Sequence, residues 1–66
     1  MMPSSVIRAF DYEPDAERLA ITFTTGKRYA YCDVPAEIVR RLRAATSKGR
    51  FFNSRIRDRY RCEKLA

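Results

Sequence analysis

The chain has 66 residues, 45% of them hydrophobic and 33% charged, with 14 Lys/Arg against 8 Asp/Glu, a net charge of +6 and no histidine. A chain this short is expected to fold as one domain over residues 1–66, burying only about 60% of the surface that its unfolded form exposes. The composition suits a small globule rather than a disordered tail, and no apolar run approaches the roughly 20 residues that span a bilayer, so a membrane is not an expected partner.

Met1-Met2-Pro3-Ser4-Ser5 lacks the basic-then-apolar order of a signal peptide, and a cytoplasmic location is expected. Ser5 to Tyr12 alternates apolar and polar residues imperfectly and predicts a first strand, ended by a turn at Glu13-Pro14-Asp15. Leu19, Ile21 and Phe23 then alternate with Ala20 and Thr22. This period of two predicts a second strand. Thr24-Thr25-Gly26 is a turn, and Lys27 to Asp33 a third strand that Val34-Pro35 stops. Pro35 suits the first position of a helix, where its missing N–H would be unpaired anyway, and Glu37 suits the helix dipole. Ile38, Val39, Leu42 and Ala45 recur at helical spacing. Thr46-Ser47-Lys48-Gly49 breaks that pattern, with Ser47 as the cap of a second helix. Gly49 lets that helix start close against the first, or takes a positive φ at the first helix's end. Phe52, Ile56 and Tyr60, four apart, form the second helix's buried stripe. The expected fold is α+β: a three-stranded antiparallel meander followed by two helices packed on one face, βββαα.

Tyr29 and Tyr31 share one face of the third strand, and the hairpin register decides which. A two-residue loop at Thr25-Gly26 pairs Thr22 with Tyr29 and sets the tyrosines opposite the Leu19, Ile21, Phe23 face. A three-residue loop at Thr24-Thr25-Gly26 pairs Ile21 with Tyr29 and Leu19 with Tyr31. The two-residue turn needs positive φ at β-branched Thr25; the three-residue loop needs it only at Gly26. Turn chemistry therefore favours the register that makes both tyrosines core residues with hydroxyls at the rim. The other register would offer a base-stacking platform.

Without histidine, no Ser–His or Cys–His pair exists, and the commonest general base near pH 7 is missing. Most of the carboxylates cluster in a turn-like stretch, and none lies in an apolar run that would raise its pKa. No catalytic residue, enzymatic role or cofactor is expected. Cys32 and Cys62 fall short of the four ligands of a structural zinc site, so no metal is expected. In a reducing compartment they remain free thiols.

Charge is unevenly spread. Residues 1–33 carry four Lys/Arg and five Asp/Glu, whereas residues 34–66 carry ten and three, nine of the ten bases lying within 40–61. This asymmetry points to a polyanionic partner, or to a well-solvated helical surface built from a good helix former. On a helical wheel Arg50, Arg57 and Arg61 fall within about 40° of one another, nearly opposite the apolar stripe. They would form an exposed ridge beside Ser54, with Arg55 and Arg59 packing their stems along the stripe. Phe51 lies about 100° from Phe52 and either adds a core contact or stacks on a base beside Arg50. Asn53 caps a local backbone group or hydrogen-bonds a base. The candidate nucleic-acid-binding set is Arg40, Arg41, Arg43, Lys48, Arg50, Phe51, Arg57 and Arg61. Arginine forks match phosphate geometry, and no RNP-type aromatic motif, zinc spacing or helix-turn-helix signature accompanies them. Binding to nucleic acid (RNA or tRNA) would then be mostly backbone-directed and weakly sequence-selective. The alternative is a module that docks an acidic protein surface. The face bearing Ala20, Thr22 and Ala30 is flat and small-sided, either open to solvent or covered by a second copy, and the oligomeric state is left open.

Several of these residues form an ordered set: Tyr29 and Tyr31, then Val34-Pro35, Ala45, Ser47 and Gly49, Phe51-Phe52-Asn53, and Ile56-Arg57. From about Ser5 to Tyr60 the chain resembles the KTSC domain, a short family named for its occurrence at the C-terminus of some lysyl-tRNA synthetases and also found as a stand-alone bacterial protein. The resemblance implies RNA binding only through that synthetase context. The chain departs from the family pattern at Asp11, where a glycine usually precedes the tyrosine, and at Glu13, where an aspartate usually precedes the proline. Both changes touch a turn.

Overall fold

The alternation of Leu19, Ile21 and Phe23 and the glycine at position 26 together set the centre of the molecule. In the computed structural model, which describes residues 7–65, the strands β1 (Ile7–Glu13), β2 (Arg18–Phe23) and β3 (Arg28–Tyr31) are followed by the helices α1 (Ala36–Ala44) and α2 (Lys48–Arg55) and by a short strand β4 (Cys62–Lys64). The strands form one antiparallel sheet in the order β1-β2-β3-β4. The α+β layout therefore stands with one correction, a fourth strand. After the helices the chain returns to the sheet and pairs with the free edge of β3, where the Cys32 N–H donates to the Arg61 carbonyl and the Leu65 N–H to the Arg28 carbonyl, each at 2.8 Å. The Met1–Ser5 segment and the start of the expected first strand lie outside the described residues.

The β2–β3 hairpin takes the three-residue loop. Ile21 faces Tyr29 and Leu19 faces Tyr31, the Gly26 N–H donates to the Phe23 carbonyl at 2.9 Å, and Gly26 carries a φ of +93°. Only glycine takes that backbone at no steric cost. Tyr31 is thereby buried, and Tyr29 packs half-buried against the same core. Their rings meet neighbours edge to face: Tyr31 on Phe52 at 5.5 Å and Tyr29 on Phe23 at 6.0 Å between centroids. This geometry suits the ring quadrupoles, and the base-stacking platform of the other register does not form.

The core lies between the sheet and the helices, with Leu19, Ile21, Val34, Leu42 and Ile56 fully buried and Val39 and Phe52 beside them. A bulge between Ile7 and Ala9 in β1 shifts the pairing by one residue, after which Phe10 and Tyr12 face Ile21 and Leu19 across β2. The Tyr12 hydroxyl donates to the Val34 carbonyl at 2.7 Å and ties the entry of α1 to β1. β3 ends at Tyr31, two residues before the expected Asp33, because Asp33 turns left-handed at φ 59°. The neighbouring turn carries a second such acid, Glu17 at φ 51°, whose carbonyl accepts from the Val34 N–H at 2.9 Å.

Pro35 stands just before the first residue of α1, as its N-cap. Ser47 caps α2, its hydroxyl oxygen accepting from the Arg50 N–H at 3.4 Å. Gly49 is buried in the first turn of α2, which fits close approach to a neighbour rather than a left-handed exit from α1. On the helix-free face, Ala30 is fully buried. There the Arg18 guanidinium reaches across β3 to the Glu63 carboxylate on β4 at 3.7 Å. This chain's own side chains thus help cover a face that small residues alone would leave open.

Candidate nucleic-acid interface

α1 buries Val39 and Leu42, which forces Arg40, Arg41 and Arg43 to the outside. Arg41 pairs with Glu37 one turn earlier at 3.2 Å. Arg43 lies over the Phe10 ring at 5.8 Å and so reaches from α1 to β1. A cation over an aromatic face is electrostatically favourable. Arg40 projects from the same helix and forms no ion pair among the described residues.

On α2, Lys48 is half-buried at the first position and Arg50 is exposed in the first turn. Phe51 is half-buried and packs against the core, the structural one of its two readings. Asn53 does not cap a backbone group; its Oδ1 accepts from the Arg57 guanidinium at 3.0 Å.

The ridge of Arg50, Arg57 and Arg61 is not a helical feature. α2 ends at Arg55, Ile56 leaves helical geometry at φ −120°, and the Arg57 N–H bonds back to the Phe52 carbonyl at 2.9 Å. Ile56 stays buried in the core while the chain turns beneath it, so the four-residue apolar spacing outlasts the helix that it suggested. Arg57 remains beside α2. Arg61 faces Cys32 across the extended β3–β4 ladder, and the alternation of that ladder sets it on the helix-free face with Ala30 and Glu63. The structure therefore keeps Arg40, Arg41, Arg43, Lys48, Arg50 and Arg57 on the helical layer and separates Arg61 from them.

Two groups that the sequence did not connect, Cys62 and Lys64, arrive with β4. Cys62 faces Tyr31 and Lys64 faces Tyr29, both on the helix side. Burial raises the Tyr31 hydroxyl from 10.0 to about 12, the Cys62 thiol beside it adds to the rise, and the nearby Arg57 charge opposes it. Cys32 lies on the opposite face of the sheet, so the two free thiols cannot join within one chain without rebuilding the ladder. The only signal of this arrangement in the sequence was the unsatisfied edge of β3, which is nonlocal.

Among the described residues only two ion pairs form, Arg18–Glu63 and Arg41–Glu37. Of the nine bases in 40–61, which share that span with the single carboxylate Asp58, Arg41 alone forms an ion pair among the described residues. No described helix is long and apolar enough to cross a membrane.

The KTSC domain family matches residues 3–60. A protein of Tsukamurella paurometabola is 44% identical over 62 residues, covering 94% of this chain and 92% of its own length. A lysine–tRNA ligase of Nostoc punctiforme is 39% identical over 62 residues, again 94% of this chain but only 11% of the ligase. The crystal structure of a KTSC domain protein from Yersinia pestis superposes with a TM-score of 0.88 at 35% identity, covering 91% of this chain and 84% of that one.

Proposed function

The chain belongs to the KTSC domain family, and from its uncompensated arginines we propose that it is a small nucleic-acid-binding module acting mainly through phosphate contacts. The observation that carries this reading is the run of nine bases against one carboxylate within 40–61, of which Arg41 alone forms an ion pair among the described residues. Such a surface holds its field for an external polyanion instead of spending it on internal pairs. Arg40, Arg43, Arg50 and Arg57 supply forked donors that fit phosphate oxygens, and RNA or tRNA is the ligand that we favour. The match to a segment that makes up 11% of a lysine–tRNA ligase supports that choice by context.

The test is an NMR titration of isotope-labelled protein with a short single-stranded RNA and then with tRNA, each at low and moderate salt. Amide shifts at residues 40–57 that fade with salt are expected, the affinity falling by a logarithmic slope of about 0.7 per phosphate neutralised on a single strand. Absence of any shift at low salt would sink the reading and turn attention to an acidic protein surface as the partner.

A further inference from the structure

We propose that the ligand is the backbone of a double helix: the exposed arginines of the helical layer take rows of duplex phosphates, and Arg59, in the turn after α2, joins them. This rests on the nucleic-acid reading above and names the class of nucleic acid that the surface takes.

Two observations carry it. The first is where the aromatic rings are. Single strands are held by stacking successive bases on aromatic side chains beside a basic groove. The chain has four phenylalanines, four tyrosines and no tryptophan, and all eight rings lie in the core or pack against it. Phe23 meets Tyr29 and Phe52 edge to face, and Tyr31 meets Phe52 in the same way. The Phe10 ring already carries the Arg43 guanidinium. The rings are committed to the fold, so a single strand finds charge on this surface without a platform for its bases.

The second observation is that several cations are held before a ligand arrives. Arg43 rests with its guanidinium 5.8 Å from the Phe10 centroid, a contact that leaves its N–H groups for other partners. Arg57 donates to Asn53 Oδ1 at 3.0 Å. Arg59 donates its Nε–H to the Ser54 carbonyl at 3.4 Å, which leaves both terminal nitrogens for a ligand. The anchors of Arg57 and Arg59 are thus consecutive residues near the end of α2, and Asp58 between the two arginines forms no ion pair among the described residues. Capping a last-turn carbonyl accounts for the Arg59 Nε–H but not for an exposed charge without an ion pair among the described residues.

Forks ordered in advance lose little entropy on meeting phosphates that are themselves fixed in place. A double helix offers one charge per about 1.7 Å of axis in rigid rows, against about 3.4 Å along either strand alone. A flexible single strand has to be ordered as it binds, and here no stacking offsets that cost. Spread, pre-ordered cations therefore favour the duplex, whose backbone they meet without reading its bases.

Fluorescence anisotropy with labelled nucleic acids tests this. The duplex arm is a blunt RNA of about 12 pairs, which at about 3.4 Å per pair exceeds the 31 Å longest dimension of the domain. The single-strand arm is oligouridylate of about 24 residues, with about the same number of phosphates. At equal salt the duplex is expected to bind about tenfold tighter, with a logarithmic salt slope of about 0.9 per phosphate neutralised against about 0.7 for the single strand. A DNA duplex of the same length separates the two sources of that backbone. Binding as tight as to the RNA duplex supports contact with phosphates alone, and weaker binding supports an added contact with the 2′-hydroxyls. Asn53→Ala, at an exposed position without core contacts, releases Arg57 without removing a charge. It should weaken duplex binding about threefold at an unchanged salt slope. Arg59→Gln should lower the duplex slope by about one. An unchanged slope would take Arg59 out of the interface, and unchanged affinity in Asn53→Ala would overturn the role of held cations. Oligouridylate bound as tightly as the duplex would overturn the duplex preference and leave the phosphate reading standing. No binding of any of these nucleic acids at low salt would remove both.

Discussion

On the helix side of the sheet, Leu19 and Ile21 are fully buried under Val39, Leu42, Phe52 and Ile56. On the other side, Ala20 and Ala30 have no helix above them, and a partly exposed ion pair from Arg18 on β2 to Glu63 on β4 crosses β3. Both faces exclude water from the centre of the sheet, but by different means. Aliphatic packing removes large apolar areas from water and stabilises in proportion. A salt bridge between two half-solvated side chains gains little, because water screens it and two long side chains must be ordered. The stability of the domain therefore resides in one face.

The sharpest way to break this contrast is Ile21→Ala, which opens a cavity beneath the helices and should cost about 3 kcal/mol, a large part of the stability of so small a domain. Urea denaturation would show a lower midpoint with an unchanged slope. A high-pH arm comes next. The folded state holds the Tyr31 proton more tightly than the unfolded chain, moving it from 10.0 to about 12. The stabilisation is thus fully present below pH 10 and is lost as pH rises towards 12. Thermal melts across that window should show a falling midpoint, and Tyr31→Phe should flatten the fall. The smallest effect belongs to the helix-free face: a double-mutant cycle with Arg18→Ala and Glu63→Ala should return a coupling below about 1 kcal/mol, vanishing in high salt. A coupling that rivals the loss from Ile21→Ala would refute the one-sided account.

The elements legible in the sequence were those whose causes are local. Thr25 disfavours and Gly26 permits a positive φ, so the hairpin register, and with it the burial of Tyr31, could be read from three residues. Ser47 announced its helix by the same kind of short-range chemistry. The end of α2 was not legible, because Phe52 and Ile56 keep helical spacing and are both buried although the chain leaves the helix at Ile56. β4 was hidden for a related reason. Its residues are all exposed and show no alternation of burial, and what recruits them is the hydrogen-bonding edge of β3, some thirty residues away in the chain. The candidate interface inherits both gaps. The arginines of α1 and Arg50 lie where periodicity puts them, whereas Arg61 is carried off by the ladder to β4.

Strand order that follows chain order has a kinetic consequence. β1, β2 and β3 each meet a neighbour across a short turn, so their ladders close over little chain and form early. The β3–β4 ladder closes only after both helices have been made, and closing a longer loop costs more entropy. β4 is accordingly expected to dock last in refolding and to fray first in the native state, with the Glu63 amide exchanging its proton ahead of the β2 amides. The placement of Cys62 opposite Tyr31 and of Lys64 opposite Tyr29 would then be made anew each time the final strand zips home, at a rate that hydrogen exchange reads.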